Sequence, residues 1–268
     1  MSVSSEAIPI PRRRRCTVLL GKVVVGEPEL TIGMPVYNGA ATIRAALDSL
    51  LAQTFQNFVL IVSDDNSSDG TEEICREYEG RDPRVRYVRQ PKNLGLANNF
   101  RFVLFEATTR FFMWATSDAL WAPNFVGLTL DFLVSNPDYV CCQSRVLFTT
   151  TQGESYFAAG TYPLTGMWRE NAERFFRNPA CNSRSYGLFR TRALRLVFPT
   201  RNFLGYDLAV SAGTIKFGKH AELSECLMIR DASAFAAYER AAQNDHRSVP
   251  WKLFPLLYHS ARTRQERR

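Results

Sequence analysis

Two aspartate-bearing turns carry the side chains in this sequence that are best suited to chemistry. The first follows the apolar run at 58–62 and contains the adjacent carboxylates Asp64 and Asp65. The second follows the apolar run at 111–114 and contains Asp118. Ligands of open α/β sheets bind in the crevice at the carboxyl ends of the strands, and carboxylates suit a ligand chelated by a hard cation. The two turns therefore predict one site for a polar, metal-chelated ligand.

Alternating strand and helix patterns predict the elements that position these turns. Strands are expected at 30–35, 58–62, 85–89, 111–114 and 139–148 and around 185–189, and helices at 42–53, 71–79, 97–106, 124–135 and 170–177 and from about 206. This alternation is typical of an α/β fold with a mostly parallel central sheet flanked by helices.

Two local signals add detail to this arrangement. Asp69 with Glu72 three residues later is the pattern of a capped helix start, so Asp69 is the expected N-cap of the second helix. The polar, glycine-containing segment 149–165 predicts a hairpin or flap.

Composition is that of one compact catalytic domain with basic ends. The chain has 268 residues, 46% of them hydrophobic, which is enough for one sizeable core. Its net charge is +7, and the excess lies in the arginines at 12–15 and at 262–268. Solvated tails and contact with an anionic membrane surface both account for these ends. Nucleic-acid binding is disfavoured because no recognition motif accompanies the arginines.

Cysteine usage and hydropathy predict a cytoplasmic protein. The six cysteines show no CxxC or Cys/His spacing, so we expect reduced, buried thiols. The chain shows no apolar run near the roughly 18 residues of a spanning helix and no signal-peptide pattern at its start. The aromatic segment 251–259 suits either peripheral contact with the inner face of the membrane or packing, including in a homodimer. His220, His246 and His259 lack metal spacing and are expected to be structural or exposed.

Five motifs together resemble the family 2 inverting glycosyltransferases of GT-A fold, of the bacterial polysaccharide type. They are Met34-Pro35-Val36-Tyr37-Asn38-Gly39, Gln53-Thr54-Phe55, Asp64-Asp65-Asn66-Ser67-Ser68-Asp69-Gly70-Thr71, Asn93-Leu94-Gly95, and Ser117-Asp118 followed by Pro123. Their order and spacing match over about 30–148 and more loosely to about 230. The resemblance implies a nucleotide diphosphate-sugar donor, expected to be a UDP-sugar, and a hydroxyl of a glycan or lipid-linked acceptor.

The resemblance also implies which residues bind the nucleotide. Pro35, Tyr37 and Asp65 would surround the base, with Asp65 accepting a hydrogen bond from a pyrimidine N3–H. Thr116 would contact the ribose. Ser117 and Asn93 complete the expected nucleotide site, although a loop or cap role accounts equally well for Asn93.

By the same resemblance, Asp118 would ligate a divalent cation, Mg²⁺ or Mn²⁺, that bridges the diphosphate. The neighbouring positions are neutral, and Ala119 stands where many relatives carry another aspartate, so cation dependence is open. Asp207 would be the general base that deprotonates the acceptor hydroxyl. A turn cap at Asp118 and a favourable charge at a helix start for Asp207 are the structural alternatives.

The implied organisation is an appendage at 1–28, a GT-A domain at 29–240 and a basic amphipathic tail at 241–268. Within the domain, 29–148 would bind the nucleotide-sugar and 149–240 would form a smaller acceptor-side region, where Asn182, Arg184 and Tyr186 are candidates for the acceptor pocket. The neutral residues beside Asp118 keep a second function open, namely a nucleotide-sugar-binding protein with weak or lost catalysis. A nucleotidyltransferase is disfavoured because the glycine-rich, basic phosphate loop expected near its amino terminus is missing.

Overall fold

The computed structural model of the protein describes residues 27–150, 152–158, 161–178, 182–200 and 205–232. The predictions for 1–26 and for the segments beyond 232, including both arginine clusters and the aromatic segment 251–259, lie outside the described residues. Within the described ranges, no helix is both long and apolar enough to cross a membrane.

Strands and helices alternate through the first half of the chain, as the sequence predicts. The strands are β1 (Leu30–Val36), β2 (Phe58–Asp64), β3 (Val85–Arg89), β4 (Phe111–Trp114), β5 (Ala119–Trp121), β6 (Tyr139–Thr149), β7 (Ser155–Phe157), β8 (Leu188–Arg190) and β9 (Lys219–Asp231). The α-helices are α1 (Ile43–Leu51), α2 (Thr71–Arg81), α3 (Leu96–Glu106), α4 (Phe125–Ser135), α5 (Trp168–Arg177), α6 (Thr191–Val197) and α7 (Tyr206–Thr214), and a 3-10 turn lies at Ser183–Tyr186.

One mixed sheet runs through the molecule in the order β3-β2-β1-β4-β8-β6-β9-β5, with β7 paired to β6. Strands β3, β2, β1 and β4 are parallel, and β9 is parallel to β6. The strands β8, β5 and β7 pair antiparallel with their neighbours. The predicted α/β class is confirmed, and the parallel half is the part that holds the two aspartate turns.

The central strands are apolar because helices cover both faces of the sheet. All seven residues of β1 and all four of β4 are buried. Alternate residues of β4 enter different cores: Phe111 and Met113 pack with the residues of α1 and α4, and Phe112 and Trp114 pack with those of α3, α6 and α7. Packing of β4 against both cores fixes the position of its carboxyl end, and of the turn that follows it, relative to the neighbouring strands.

The second half of the chain departs from the sequence prediction at several elements. The residues expected as a strand around 185–189 form the 3-10 turn followed by β8. Strands β5 and β9 and helix α6 have no counterpart in the prediction. Helix α2 begins at Thr71, as predicted, but its N-cap is Gly70 and not Asp69, whose carboxylate instead accepts the Thr71 amide. The polar segment after β6 does form a hairpin, through β7.

The described cysteines are free thiols, but they are not uniformly buried. Cys75, Cys141 and Cys142 are buried, whereas Cys226 is exposed on β9. Burial raises the pKa of the Cys75 and Cys141 thiols to about 12, so both stay protonated at neutral pH. The prediction of buried thiols therefore holds for three of the four described cysteines, and Cys226 is the exception.

Candidate active site

The turns after β1 and β4 leave the sheet at the same edge. Strands β1 and β4 are parallel neighbours, with Gly33 opposite Trp114, so their carboxyl ends lie side by side. A Cβ on Gly39 would come within 3.1 Å of the Ser117 hydroxyl oxygen and 2.6 Å of Val36 Cγ2. Glycine at position 39 thus lets the two turns approach each other closely.

The double-aspartate turn after β2 clamps the β1 turn from the other side. The backbone amides of residues 38–40 donate, in that order, to Ser67 Oγ at 2.9 Å, Thr71 Oγ1 at 2.9 Å and Asp69 Oδ2 at 3.0 Å. Desolvation opposes ionisation of Asp69, yet the hydrogen bonds from Thr71 and the turn amides hold the pKa of this carboxyl below its ordinary value. An ionised Asp69 therefore fixes the backbone that carries Tyr37.

Asp64 has a structural environment. Its carboxylate is fully buried and accepts hydrogen bonds from the Tyr87 hydroxyl at 2.7 Å and the Ser67 amide at 2.8 Å, with Arg89 Nη1 at 3.2 Å. Burial and the bond to Asp64 raise the pKa of the Tyr87 hydroxyl. Asp64 thereby ties β2 to β3 and leaves no oxygen facing a ligand pocket.

Asp65 organises the loop before α3. It is 2% exposed, and its two oxygens accept the backbone amides of Leu94 at 2.6 Å and Gly95 at 3.0 Å. The Asn93 side chain caps the same Gly95 amide at 3.0 Å. Neither Asp65 nor Asn93 is among the residues that line the cavity described next, so their contacts with a nucleotide stay predictions.

A cavity of about 380 Å³ opens where the turns after β1 and β4 face the 3-10 turn and α7. Part of its wall is aromatic, and it includes Phe100, Trp114, Tyr186 and Tyr206. Six of the residues predicted to bind the nucleotide or metal or to act as base line it: Pro35, Tyr37, Thr116, Ser117, Asp118 and Asp207. A second depression, of about 460 Å³ along α5, contains none of the predicted donor, metal or base residues.

Asp118 lines the cavity as a partly paired carboxylate. Its Oδ1 accepts a hydrogen bond from the Thr116 hydroxyl, and its Oδ2 lies 3.9 Å from Arg230 Nη2. Among the described residues, no three His, Cys, Asp or Glu side chains are grouped so that they could hold a metal ion. Mg²⁺ needs only one or two protein carboxylates when phosphates supply the other oxygens. The site therefore fits a divalent cation that arrives with a phosphate-bearing ligand and takes one protein ligand, Asp118.

Arg230 is a residue of this cavity that the sequence did not reveal. It lies on β9, which pairs antiparallel with β5 and brings Arg230 opposite Ala119. Its guanidinium is 4.5 Å from the ring centroid of Tyr186 and 5.5 Å from that of Phe148. The only local signal is an arginine that ends the apolar run at 227–229, a pattern shared by many edge-strand residues.

Asp207 lies in the first turn of α7, on the opposite wall from the strand ends. The helix follows Gly205, whose φ of +86° is accessible to glycine at low cost. The Asn182 side-chain amide donates to Asp207 Oδ2 at 2.9 Å. Asn182 itself has a φ of +45°, a left-handed conformation that asparagine tolerates better than most residues. The 3-10 turn and α7 are therefore linked directly at the carboxylate.

Arg184 anchors that 3-10 turn from behind. It is fully buried, donates to the Tyr162 carbonyl at 2.8 Å, and lies 3.4 Å from His220 Nδ1. Burial, and secondarily the Arg184 charge, keep the pKa of His220 well below its ordinary value. Of the three acceptor-pocket candidates, Asn182 and Tyr186 line the cavity and Arg184 does not. His220 is structural, as expected, and the other two histidines lie outside the described residues.

Comparisons with known proteins identify a sequence family and related structures. The sequence profile of Glycosyl transferase family 2 matches residues 31–198. A segment of 107 residues is 33% identical to the UDP-Glc:alpha-D-GlcNAc-diphosphoundecaprenol beta-1,3-glucosyltransferase WfgD of Escherichia coli, covering 40% of this chain and 42% of that protein. The chain spans less than half the length of the curated relatives it matches.

Two solved structures share the fold at low sequence identity. TarS of S. aureus in complex with UDP-GlcNAc aligns with a TM-score of 0.63 at 17% identity, over 76% of this chain and 58% of that one. The mannosyltransferase PcManGT from Pyrobaculum calidifontis, in complex with GDP-Man and Mn²⁺, aligns with a TM-score of 0.58 at 17% identity, over 88% and 69% of the two chains. At this identity the likeness concerns the fold.

Proposed function

The chain belongs to glycosyl transferase family 2 and has a GT-A fold, and from this premise we propose that it moves a sugar from a nucleotide diphosphate-sugar to an acceptor hydroxyl. The observation that carries the proposal is the convergence of Pro35, Tyr37, Thr116, Ser117, Asp118 and Asp207 on one cavity. These residues come from the ends of two neighbouring parallel strands and from α7, so local sequence proximity does not explain their meeting.

We propose a UDP-sugar as donor and a hydroxyl of a glycan or lipid-linked molecule as acceptor. The exposed ring of Tyr37, beside Pro35, offers a stacking surface for a base at the cavity mouth. WfgD uses, by its name, a UDP-sugar and a diphosphoundecaprenol-linked acceptor. TarS binds UDP-GlcNAc and PcManGT binds GDP-Man, so UDP and GDP are the two nucleotides to test. A role in bacterial surface polysaccharide assembly fits these relatives.

Asp207 is the proposed general base of an inverting, in-line displacement. Its carboxylate would take the proton of the acceptor hydroxyl while that oxygen bonds to the anomeric carbon. The bond from the anomeric carbon to the diphosphate oxygen breaks in the same step, so the nucleotide diphosphate leaves with the electron pair. The hydrogen bond from Asn182 orients Asp207 Oδ2. The aromatic wall of Trp114, Tyr186 and Tyr206 would exclude water, which could otherwise hydrolyse the sugar donor.

A divalent cation, Mg²⁺ or Mn²⁺, would supply positive charge to the leaving diphosphate. Asp118 would be its protein ligand, and the Thr116 hydroxyl would orient that carboxylate. Residues 29–148 would thus supply the donor side of the cavity. Residues 149–240 would supply the acceptor side, through the 3-10 turn and α7.

Calorimetric titration of the full chain with UDP and GDP, each with and without Mn²⁺, tests the donor site first. Binding of one nucleotide that Mn²⁺ strengthens supports the proposal, and a radiolabelled-sugar transfer assay against glycan and lipid-linked acceptors follows. If neither nucleotide binds under any condition, the transferase proposal is wrong.

A second function is supported by one observation: among the described residues of the turn after β4, Asp118 is the one carboxylate that lines the cavity, and its neighbours Thr116 and Ser117 are neutral. A protein that binds a nucleotide-sugar without catalysing its transfer could lack further carboxylates at this turn. It would bind UDP or GDP in the same titration yet neither hydrolyse nor transfer the donor sugar with Mg²⁺ or Mn²⁺ present. Transfer to any acceptor would exclude it.

A further inference from the structure

Arg230 is a buried cation that forms part of the cavity wall. Its residue exposure is 7%, and it still belongs to the lining of the cavity with Asp118, Ser117 and Tyr186. A guanidinium placed this deeply loses most of its hydration, and such a charge is costly unless an anion compensates it.

The described protein groups compensate that charge only in part. The ion pair that the structure gives Arg230 joins Nη2 to Asp118 Oδ2 at 3.9 Å, which is beyond the 2.7–2.9 Å of a charge-assisted hydrogen bond. Its Nε has no hydrogen-bond partner among the described residues. The rings of Tyr186 and Phe148 hold the guanidinium in place but accept no strong hydrogen bond from it. The site therefore has an oriented cation with unused donor capacity.

The same part of the cavity offers a metal ion only one carboxylate among the described residues, that of Asp118. Thr116 and Ser117 are neutral, and Asp118 already faces the Arg230 charge. A planar guanidinium matches two phosphate oxygens at once, whereas a carboxylate at this position would repel them. Ligand chemistry and local charge therefore favour an anion with several oxygens next to Arg230.

We propose that Arg230 binds the diphosphate of the donor nucleotide directly and shares with the cation at Asp118 the neutralisation of the leaving group. The inference rests on the proposed function for the identity of the nucleotide. In the unliganded protein Asp118 is the counter-ion of Arg230, and the incoming diphosphate displaces it. Nucleotide binding consequently has a cation-independent part that comes from β9, far along the chain from the two aspartate turns.

The test is titration of the full chain with UDP, GDP, inorganic pyrophosphate and uridine in EDTA. It compares the wild type with Arg230→Gln, Arg230→Lys and the control Arg145→Gln. Arg145 lies on β6 with its guanidinium 3.8 Å from the Phe157 ring centroid and is not part of the cavity lining, so its variant makes the same charge change elsewhere. Thermal unfolding confirms that each variant is folded.

The proposal expects Arg230→Gln to weaken diphosphate and pyrophosphate binding about 10- to 100-fold, while uridine binding is unchanged. Arg230→Lys should recover part of the lost affinity, because lysine keeps the positive charge but lacks the planar guanidinium that binds two oxygens at once. Arg145→Gln should bind all four ligands as the wild type does. Unchanged diphosphate affinity in a folded Arg230→Gln overturns the inference, as does an equal loss for uridine, which would indicate altered cavity shape.

The outcomes also separate this inference from the proposed function. Pyrophosphate binding that depends on Arg230, without binding of UDP or GDP either in EDTA or with Mn²⁺, supports the anion site and refutes the nucleotide-sugar donor. Nucleotide affinity that is the same in the wild type and in Arg230→Gln refutes the anion site alone. Absence of binding by all four ligands to the wild type in EDTA overturns the anion site, and the proposed function falls as well if UDP and GDP also fail to bind with Mn²⁺.

Discussion

Asp118 and Asp207 line the same cavity with different neighbours, and this difference separates their expected roles. Asp118 faces the cation Arg230 and accepts from Thr116, whereas Asp207 accepts from the neutral amide of Asn182. Asp118 and Arg230 together present one negative and one positive group, which suits a cation and a phosphate group that bind together. Asp207 lies in the first turn of α7, on the side of the cavity proposed for the acceptor, which is where a general base would be needed.

Asp118→Asn should abolish the effect of Mn²⁺ on UDP affinity. The amide keeps the shape of the side chain and its bond to Thr116 but removes the negative ligand that a hard cation requires. Binding in EDTA should persist at wild-type strength or better, because Arg230 loses its competing counter-ion. Calorimetry with and without Mn²⁺ measures both effects, and an undiminished Mn²⁺ effect would exclude Asp118 as the ligand.

Asp207→Asn should lower kcat for sugar transfer by about 10²- to 10⁴-fold and leave the Kd for UDP unchanged, since a general base acts on the acceptor and not on the nucleotide. Asp131→Asn, an exposed change on α4, is the matched control and should leave both constants unaffected. Transfer rates and UDP titration on the same preparations provide the comparison. Wild-type kcat in Asp207→Asn would assign the proton transfer to another group.

At the scale of elements, the site depends on how closely α3 packs on the sheet. A Cβ on Gly33 of β1 would lie 2.7 Å from Phe112 Cζ and 2.8 Å from Val103 Cβ. Both neighbours belong to the packed core that also holds Trp114, at the end of β4. Glycine at 33 is thus a packing requirement for Val103 of α3 and Phe112 of β4 to lie against β1, the strand that carries the first turn of the site.

Gly33→Ala should destabilise the protein by about 1–3 kcal/mol through overpacking. Gly80→Ala is the matched control, because position 80 is exposed in α2 with nothing within 4 Å of an added Cβ. The control should raise stability by about 0.5–1 kcal/mol, since alanine favours the helix over glycine. Urea unfolding of both variants gives the two free energies. Equal effects of the two changes would contradict the close approach of α3.

At the scale of the whole molecule, a buried polar group connects the sheet to the wall that carries Asp207. His220 on β9 contacts Arg184 of the 3-10 turn and lies 3.2 Å from Thr214 Oγ1 of α7. Because burial and the Arg184 charge lower the pKa of His220, the folded protein keeps this imidazole neutral. The junction between the two halves of the cavity is therefore sensitive to acid.

The free energy of unfolding should fall as pH is lowered from 7.5 to 5. An unfolded histidine titrates near pH 6.5 and then binds a proton that folded His220 does not bind. Acid therefore favours the unfolded state, and below that pH the free energy of unfolding decreases by up to about 1.4 kcal/mol per pH unit. His220→Gln should remove this part of the slope, whatever its stability at pH 8. Urea unfolding across this pH range measures the slope, and identical slopes in both proteins would refute the prediction.

The sequence by itself determined the parallel half of the fold and the position of the turns on it. Strand β4 is apolar throughout, strand β1 is mostly apolar, and helices such as α2 show regular periodicity, so local pattern suffices to identify them. Five motifs then specified the family, which the profile match confirms. Strand β9 was not predicted from the sequence because its middle is exposed and its pairing with β6 is irregular. These features remove the alternation of buried and exposed residues by which a strand is recognised.

Only the tertiary structure decided which carboxylates face the cavity. Asp64, Asp65 and Asp118 all follow strands and look equivalent in sequence, but Tyr87 and the amides of the 93–95 loop bond the first two. Asp118 instead faces Arg230, more than a hundred residues later in the chain. Hydrogen-bond partners that are distant in sequence are set by strand pairing, and no local pattern encodes them. The charge balance of the site is thus a property of the folded sheet.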